Sequence, residues 1–212
     1  MARRPFAHAR CRRRARTRYG RISEGRGNTY TMVFSRGCAP GQAKVVPCQD
    51  QVRSSADLVE EAGHLWAAEA RKARKSGRIS ANWGCVTLLH NPHREIPAEI
   101  LNGWGARVAR ARPYGNIWQA PGEGTLVNER GILQIAWPAS SADNNPVCID
   151  LLLATATQPS PQGNRSRYAT AEEIAELWRR DGENNVRYFR NNVQCGIRTF
   201  EDEAITAELQ RQ

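Results

Sequence analysis

The chain has 212 residues, 40% of them hydrophobic, with 6 Trp, 5 Tyr and 4 Phe, so it can bury a sizeable core and is not of disordered composition. Its formal net charge is +10, but residues 1–30 hold ten arginines against the single acid Glu24, a net of +9, and the remainder is close to neutral at +1. No run of about 18 apolar residues and no signal-peptide core occurs, which argues against membrane spanning and secretion; six scattered cysteines without a Cys-x-x-Cys pair argue against a zinc ribbon and suit a reducing cytoplasm.

Residues 1–30 lack apolar periodicity, and their mixture of Arg, Gly and Ser buries too little surface to offset chain entropy, so a disordered basic arm is expected there. Such an arm, with Arg12, Arg13 and Arg14 in it, can neutralise phosphates. It also has the composition of a transit peptide, and Met32, inside the strand-like run 29–34, is an alternative first residue.

The folded part is expected to span residues 31–212 as one α+β domain. A strand at 30–34 leads into a loop through Gln42, and Cys38 and Cys48, with nine residues between them, flank Val45-Val46. A helix over 55–76 follows, with Ser54 as N-cap, Asp57 at its third position, Leu58, Ala62, Leu65, Trp66 and Ala70 on one face, and Gly77 as its stop. Trp83 to His90 reads as a buried strand ended by Asn91-Pro92. Pro97 opens a second helix with an apolar stripe of Ile96, Ile100, Leu101, Trp104 and Val108, while Arg107, Arg110 and Arg112 occupy its other faces.

Residues 114–125 form a long turn-rich connection carrying Tyr114 and Trp118; its Gly-Glu-Gly matches no phosphate loop, and Glu123 reads as a solvated carboxylate. Strands are expected at 132–137 and 147–156, the second apolar enough to be central and covered on both faces. Asp150 within it demands an explanation, either an arginine or backbone amides bonded to its carboxylate, or a site acid with a raised pKa. After a loop holding Arg165 and Arg167 come three short helices: one capped by Thr170 with Glu173, one from about Asn184 to Gly196, and one opened by Thr199 with Asp202.

Cys85, His90 and His93 form the best-defined cluster of chemically able side chains. Side-chain alternation and roughly 16 Å of strand separate Cys85 from His90, which leaves His90 and His93, joined by a distant acid such as Asp150, as the candidate catalytic set of a small enzyme, with or without a metal ion. For nucleic acid, the arginines named above can contact phosphates, and Tyr114 and Trp118 can stack on bases.

These readings converge on an α+β fold with a mixed sheet of about four strands, packed helices and a helical C-terminal segment at 170–210. The function expected first is that of a non-catalytic nucleic-acid-binding subunit of a larger nucleoprotein assembly, with RNA ahead of DNA, other protein subunits as partners, no membrane, no cofactor and no metal. Its contact residues are Arg12, Arg13, Arg14, Arg107, Arg110, Arg112, Tyr114, Trp118, Arg165 and Arg167. The His90, His93 and Asp150 enzyme and a protein-protein interaction module are the alternatives.

Overall fold

The computed structural model describes residues 11–23, 29–46, 52–70, 86–111, 118–120, 122–140, 149–157, 167–181 and 183–211. In chain order these form β1 (Cys11–Ala15), β2 (Thr17–Ser23), β3 (Thr29–Phe34), β4 (Gly41–Val45), α1 (Ser55–Ala70), β5 (Val86–His90), α2 (Ala98–Ala111), β6 (Trp118–Ala120), β7 (Gly124–Val127), β8 (Ala139–Ser140), β9 (Leu151–Thr155), α3 (Ala171–Asp181), α4 (Glu183–Gln194) and α5 (Asp202–Gln210). The α+β class holds, and no helix among the described residues is long and apolar enough to cross a membrane.

Local signals placed the helices well, because caps act over three residues. At α1 the Asp57 amide donates to Ser54 Oγ at 3.2 Å, and Asp57 Oδ2 accepts the amides of Arg53 and Ser54, each at 2.9 Å. These bonds, led by the one from Arg53, hold the Asp57 carboxyl below the usual carboxylate range. Thr170 and Glu173 form the same reciprocal pair before α3, at 3.2 and 2.8 Å. Glu173 also receives Arg167, the first cause of its carboxyl being pulled down to about 2. The α2 stripe is realised in Ile100, Trp104 and Val108, all buried. The end proposed for the first helix, residues 71–77, lies outside the described residues, as do Trp83, Cys85 and Cys48.

The expected arm is corrected from Cys11 onward. β1 and β2 form one long extended segment interrupted at Arg16, and it pairs antiparallel with β4 and β3, from Cys11↔Val45 to Ala15↔Gly41 and from Thr17↔Phe34 to Ser23↔Thr29. Its arginines do not prevent folding, because Arg12 and Arg14 are exposed while Ala15 and Tyr19 are buried. Met32 lies opposite Tyr19 in the β2–β3 ladder, so a chain begun at Met32 would lack the strand that β3 and β4 pair with. Residues 1–10 lie outside the described residues.

The mixed four-stranded sheet is also corrected, since the strands form small antiparallel ladders: β4-β1-β8, β2-β3, β5-β9 and β6-β7. The expected central pair does pair, from Val86↔Thr155 to His90↔Leu151. β5 is buried along its first four residues, but β9 is only half-buried throughout, so it lies at an edge rather than at a covered centre. The run 132–137 contributes bridges instead of a strand, Leu88↔Ile132 and Val127↔Leu133. A turn explains this: Asn128 Oδ1 accepts the amides of Arg130 and Ile132 at 3.0 Å, and by Gln134 the chain has already turned back to the Leu126 carbonyl at 2.8 Å.

Two apolar clusters result. One gathers Leu58 and Ala62 of α1, Val86 and Leu88 of β5, Ile100, Trp104 and Val108 of α2, and Leu126 and Leu133. The other joins Tyr19 and Tyr30 of the β2–β3 hairpin to Ile174, Leu177 and Trp178 of α3, Phe189 of α4 and Ile205 of α5.

Candidate nucleic-acid interface

Cross-strand partners share a face of a sheet, and neighbours along a strand alternate. The ladder sets Arg12 opposite Lys44 and Arg14 opposite Gln42, with Ala139 of β8 on the far side of Arg14. A further segment joins the free edge of β4, where the Gln42 and Arg198 amides each donate to the other's carbonyl at 2.8 Å. Arg12, Arg14, Gln42, Lys44 and Arg198 therefore occupy one face, and Arg13, Ala15 and Ala43 the other. Exposure agrees with this assignment: Arg12, Arg14 and Gln42 are exposed, whereas Arg13 is 7% exposed.

Four cationic side chains thus lie on one sheet face, and β1, β4 and residues 197–199 contain no acid. The Asp202 carboxylate lies beside Arg198, with its Oδ2 3.8 Å from Arg198 Nη1 and nearly buried. Arg12 and Lys44 converge over Gly196, where a β-carbon would lie 4.0 Å from Arg12 Nη2 and 3.9 Å from Lys44 Cε. Gly196 ends α4 at φ +69°, so both cations sit beside the negative end of a helix dipole, which helps to hold them together.

Gly41 makes the approach of Arg198 possible. A β-carbon there would lie 2.0 Å from the Arg198 carbonyl oxygen, a backbone atom with little freedom to move. Gly41→Ala is expected to push residues 197–199 off β4 at a cost of about 1–3 kcal/mol. The denaturation midpoint should fall and the Gln42 and Arg198 amides should exchange faster with solvent; unchanged exchange at both would refute the assignment.

Beside this face Arg18 is set in an aromatic bracket. Its Cζ lies 4.2 Å from the Tyr168 ring centroid and 5.3 Å from that of Phe200, and its guanidinium donates to Glu201, which also accepts the Tyr19 amide at 3.2 Å. Burial is the largest influence on the Glu201 carboxyl and pushes it above the ordinary range, against the pull of Arg18. Phe200 itself is 43% exposed.

Glu123 is not the solvated carboxylate expected from its loop. It anchors the six residues 35–40 that bulge out opposite Arg16, accepting the hydroxyl of buried Ser35 and the Arg36 amide. Arg16 donates from the other side to the Cys38 carbonyl. Cys38 is a free thiol that burial pushes upward in pKa. No sequence signal announces this clamp, because its two halves lie 88 residues apart.

The other expected site residues are dispersed. Arg13 faces inward. Arg107 and Arg110 are exposed on α2, not on this sheet. Arg167 is committed to the α3 cap, donating to Glu173 at 2.7 Å and to the Tyr168 carbonyl at 3.1 Å. Trp118 opens β6 opposite Val127; Arg112, Tyr114 and Arg165 lie outside the described residues.

His90 ends β5 half-buried and His93 is exposed in the following turn. The structure brings their backbone close to that of Asp150, whose carbonyl accepts the Asn91 amide at 2.9 Å. Yet Asp150 precedes β9 instead of lying within it. Its carboxylate is half exposed and accepts Arg94 Nε at 2.7 Å, so of the two explanations a partner arginine is the one realised. Among the described residues no group of three His, Cys, Asp or Glu side chains could hold a metal ion. No family model, curated protein or solved structure matches the chain.

Proposed function

We propose that the protein binds nucleic acid through the cationic face of the β4-β1-β8 sheet, as a non-catalytic subunit of a larger nucleoprotein assembly, with RNA ahead of DNA as the ligand. The observation that carries this reading is the gathering of Arg12, Arg14, Lys44 and Arg198 on one face built from three acid-free segments. Cations of one sign on one face give it a positive potential that attracts polyanions. Arginine and lysine on a pleated face present donors at regular intervals to successive phosphates, and phosphate contacts of this kind supply affinity without reading sequence.

Affinity should therefore fall steeply with salt. Arg14→Gln is expected to weaken binding to all sequences alike and to lower the slope of log affinity against log salt by about 1, the signature of one lost phosphate contact. The triple change Arg12→Gln, Arg14→Gln and Lys44→Gln should lower it by about 3. Titration of a fluorescently labelled RNA between about 50 and 200 mM salt measures the slope. A slope unaffected by the triple change would remove the sheet from the binding surface.

A further inference from the structure

We infer that this site takes single-stranded nucleic acid, with one unpaired base stacked on the Phe200 ring beside the row of phosphate-binding cations. The inference rests on the nucleic-acid reading above and adds the kind of strand it requires.

Phe200 and Val46 are the large apolar side chains left exposed among the described residues. Phe200 follows Arg198 by two residues, within roughly 7 Å of backbone, so its ring lies at the edge of the cationic face. Its neighbours on either side are fixed. Thr199 is buried, with its amide and hydroxyl donating to Asp202 Oδ1 at 3.1 and 2.6 Å, and the Glu201 amide donates back to Thr199 Oγ1 at 3.3 Å. The buried Glu201 is tied in turn to Arg18 and the Tyr19 amide. An aromatic ring is thus carried on a rigid backbone, backed by the Arg18 guanidinium, and left 43% exposed to water.

An exposed phenyl ring is costly in water but offers a flat apolar surface to another flat group. Nucleobases have such faces, and stacking on an aromatic side chain tolerates any base. In a duplex those faces are covered by the neighbouring pairs, so only an unpaired strand can offer one to Phe200 while its phosphates reach Arg198, Arg14 and Arg12. Arg18, already packed against the ring, adds a cation on its other side.

The test compares the full chain with Phe200→Ala, Phe200→Leu, Phe200→Trp and Arg14→Gln. The probes are a labelled mixed-sequence single-stranded RNA and the blunt duplex formed from it. The wild-type protein should prefer the single strand. Phe200→Ala and Phe200→Leu should each weaken single-strand binding roughly tenfold and leave duplex binding unchanged. Phe200→Trp should preserve or improve it, and Arg14→Gln should weaken both ligands. Leucine keeps the apolar bulk against Arg18 and removes only the flat ring, so a loss shared by Ala and Leu reports stacking and not misfolding. If the Phe200 variants bind the single strand as well as wild type while Arg14→Gln does not, the stacking inference is wrong and the nucleic-acid reading stands. Equal losses on both ligands at Phe200 also refute stacking, and a wild-type protein that binds neither probe overturns both.

Discussion

Trp178→Ala is expected to cost about 3–5 kcal/mol, a large share of the 5–15 kcal/mol by which a domain is typically stable. The side chain is fully buried, and its ring lies 5.3 Å from both the Tyr19 and the Phe189 centroids, edge-on to the tyrosine. Removing it empties the space between the β2–β3 hairpin and α3, where helices on both sides are tied to one another and collapse is hindered. Its indole N–H also donates to the buried Thr29 hydroxyl at 2.9 Å. Trp178→Phe should therefore lose a smaller amount, about 1–3 kcal/mol, through the abandoned hydroxyl and the reduced volume. Denaturant midpoints of the two variants measure this, and a loss below about 1 kcal/mol for Trp178→Ala would mean that the hairpin does not depend on the helical segment.

That dependence explains what was legible in the amino-acid sequence and what was not. Helices were readable because their determinants are local: Ser54 with Asp57, Thr170 with Glu173, the stripe Ile100, Trp104 and Val108, and Gly196 at the end of α4. The basic strands were not, because the energy that orders them comes from distant partners. Cys11 to Ser23 contains few apolar side chains; Tyr19 carries much of its burial, and it does so against Trp178 and Phe189 from the far end of the chain. Composition alone weighs chain entropy against a segment's own apolar surface and overlooks the ladder that residues 29–45 provide.

The candidate site divides in the same way. Arg12 and Arg14 were legible as charge, but only the pairing register separates them from Arg13, which turns inward. Lys44 and Arg198 were indistinguishable from other surface cations until the bridge at Gln42 placed them in the same face. Asp150 showed the converse error, since the strand was expected from residue 147 although β9 begins at Leu151, and this made an ordinary exposed ion pair with Arg94 resemble a buried acid. Strand ends are set by where pairing stops, and His90↔Leu151 is the last pair of that ladder.

Glu201→Ala should destabilise the fold by about 3–5 kcal/mol at neutral pH, because it leaves both a largely buried guanidinium and a buried amide without their acceptor. Arg18 is 19% exposed and Glu201 7%, so water cannot replace what the carboxylate provides. For a chain of this size the melting temperature should fall by roughly 6–20 °C. Glu201→Gln keeps an acceptor for the Tyr19 amide and should lose less, which separates the hydrogen bond from the charge. The pH dependence has a definite sign. The Glu201 carboxyl is raised above its usual 4.5, first by burial, so the folded state holds this proton more tightly than the unfolded chain does. Its contribution to stability is complete below about 4.5 and is lost as pH rises through the raised value. Between neutrality and pH 4.5 the wild-type protein should therefore gain stability on acidification relative to Glu201→Gln, which cannot take up the proton. A relative loss over that interval would show that the attraction of Arg18 outweighs burial. The same residue governs the binding surface: once Glu201 no longer holds Arg18 against Phe200, the ring loses its backing, and single-strand affinity should fall in Glu201→Ala even at temperatures where the variant remains fully folded.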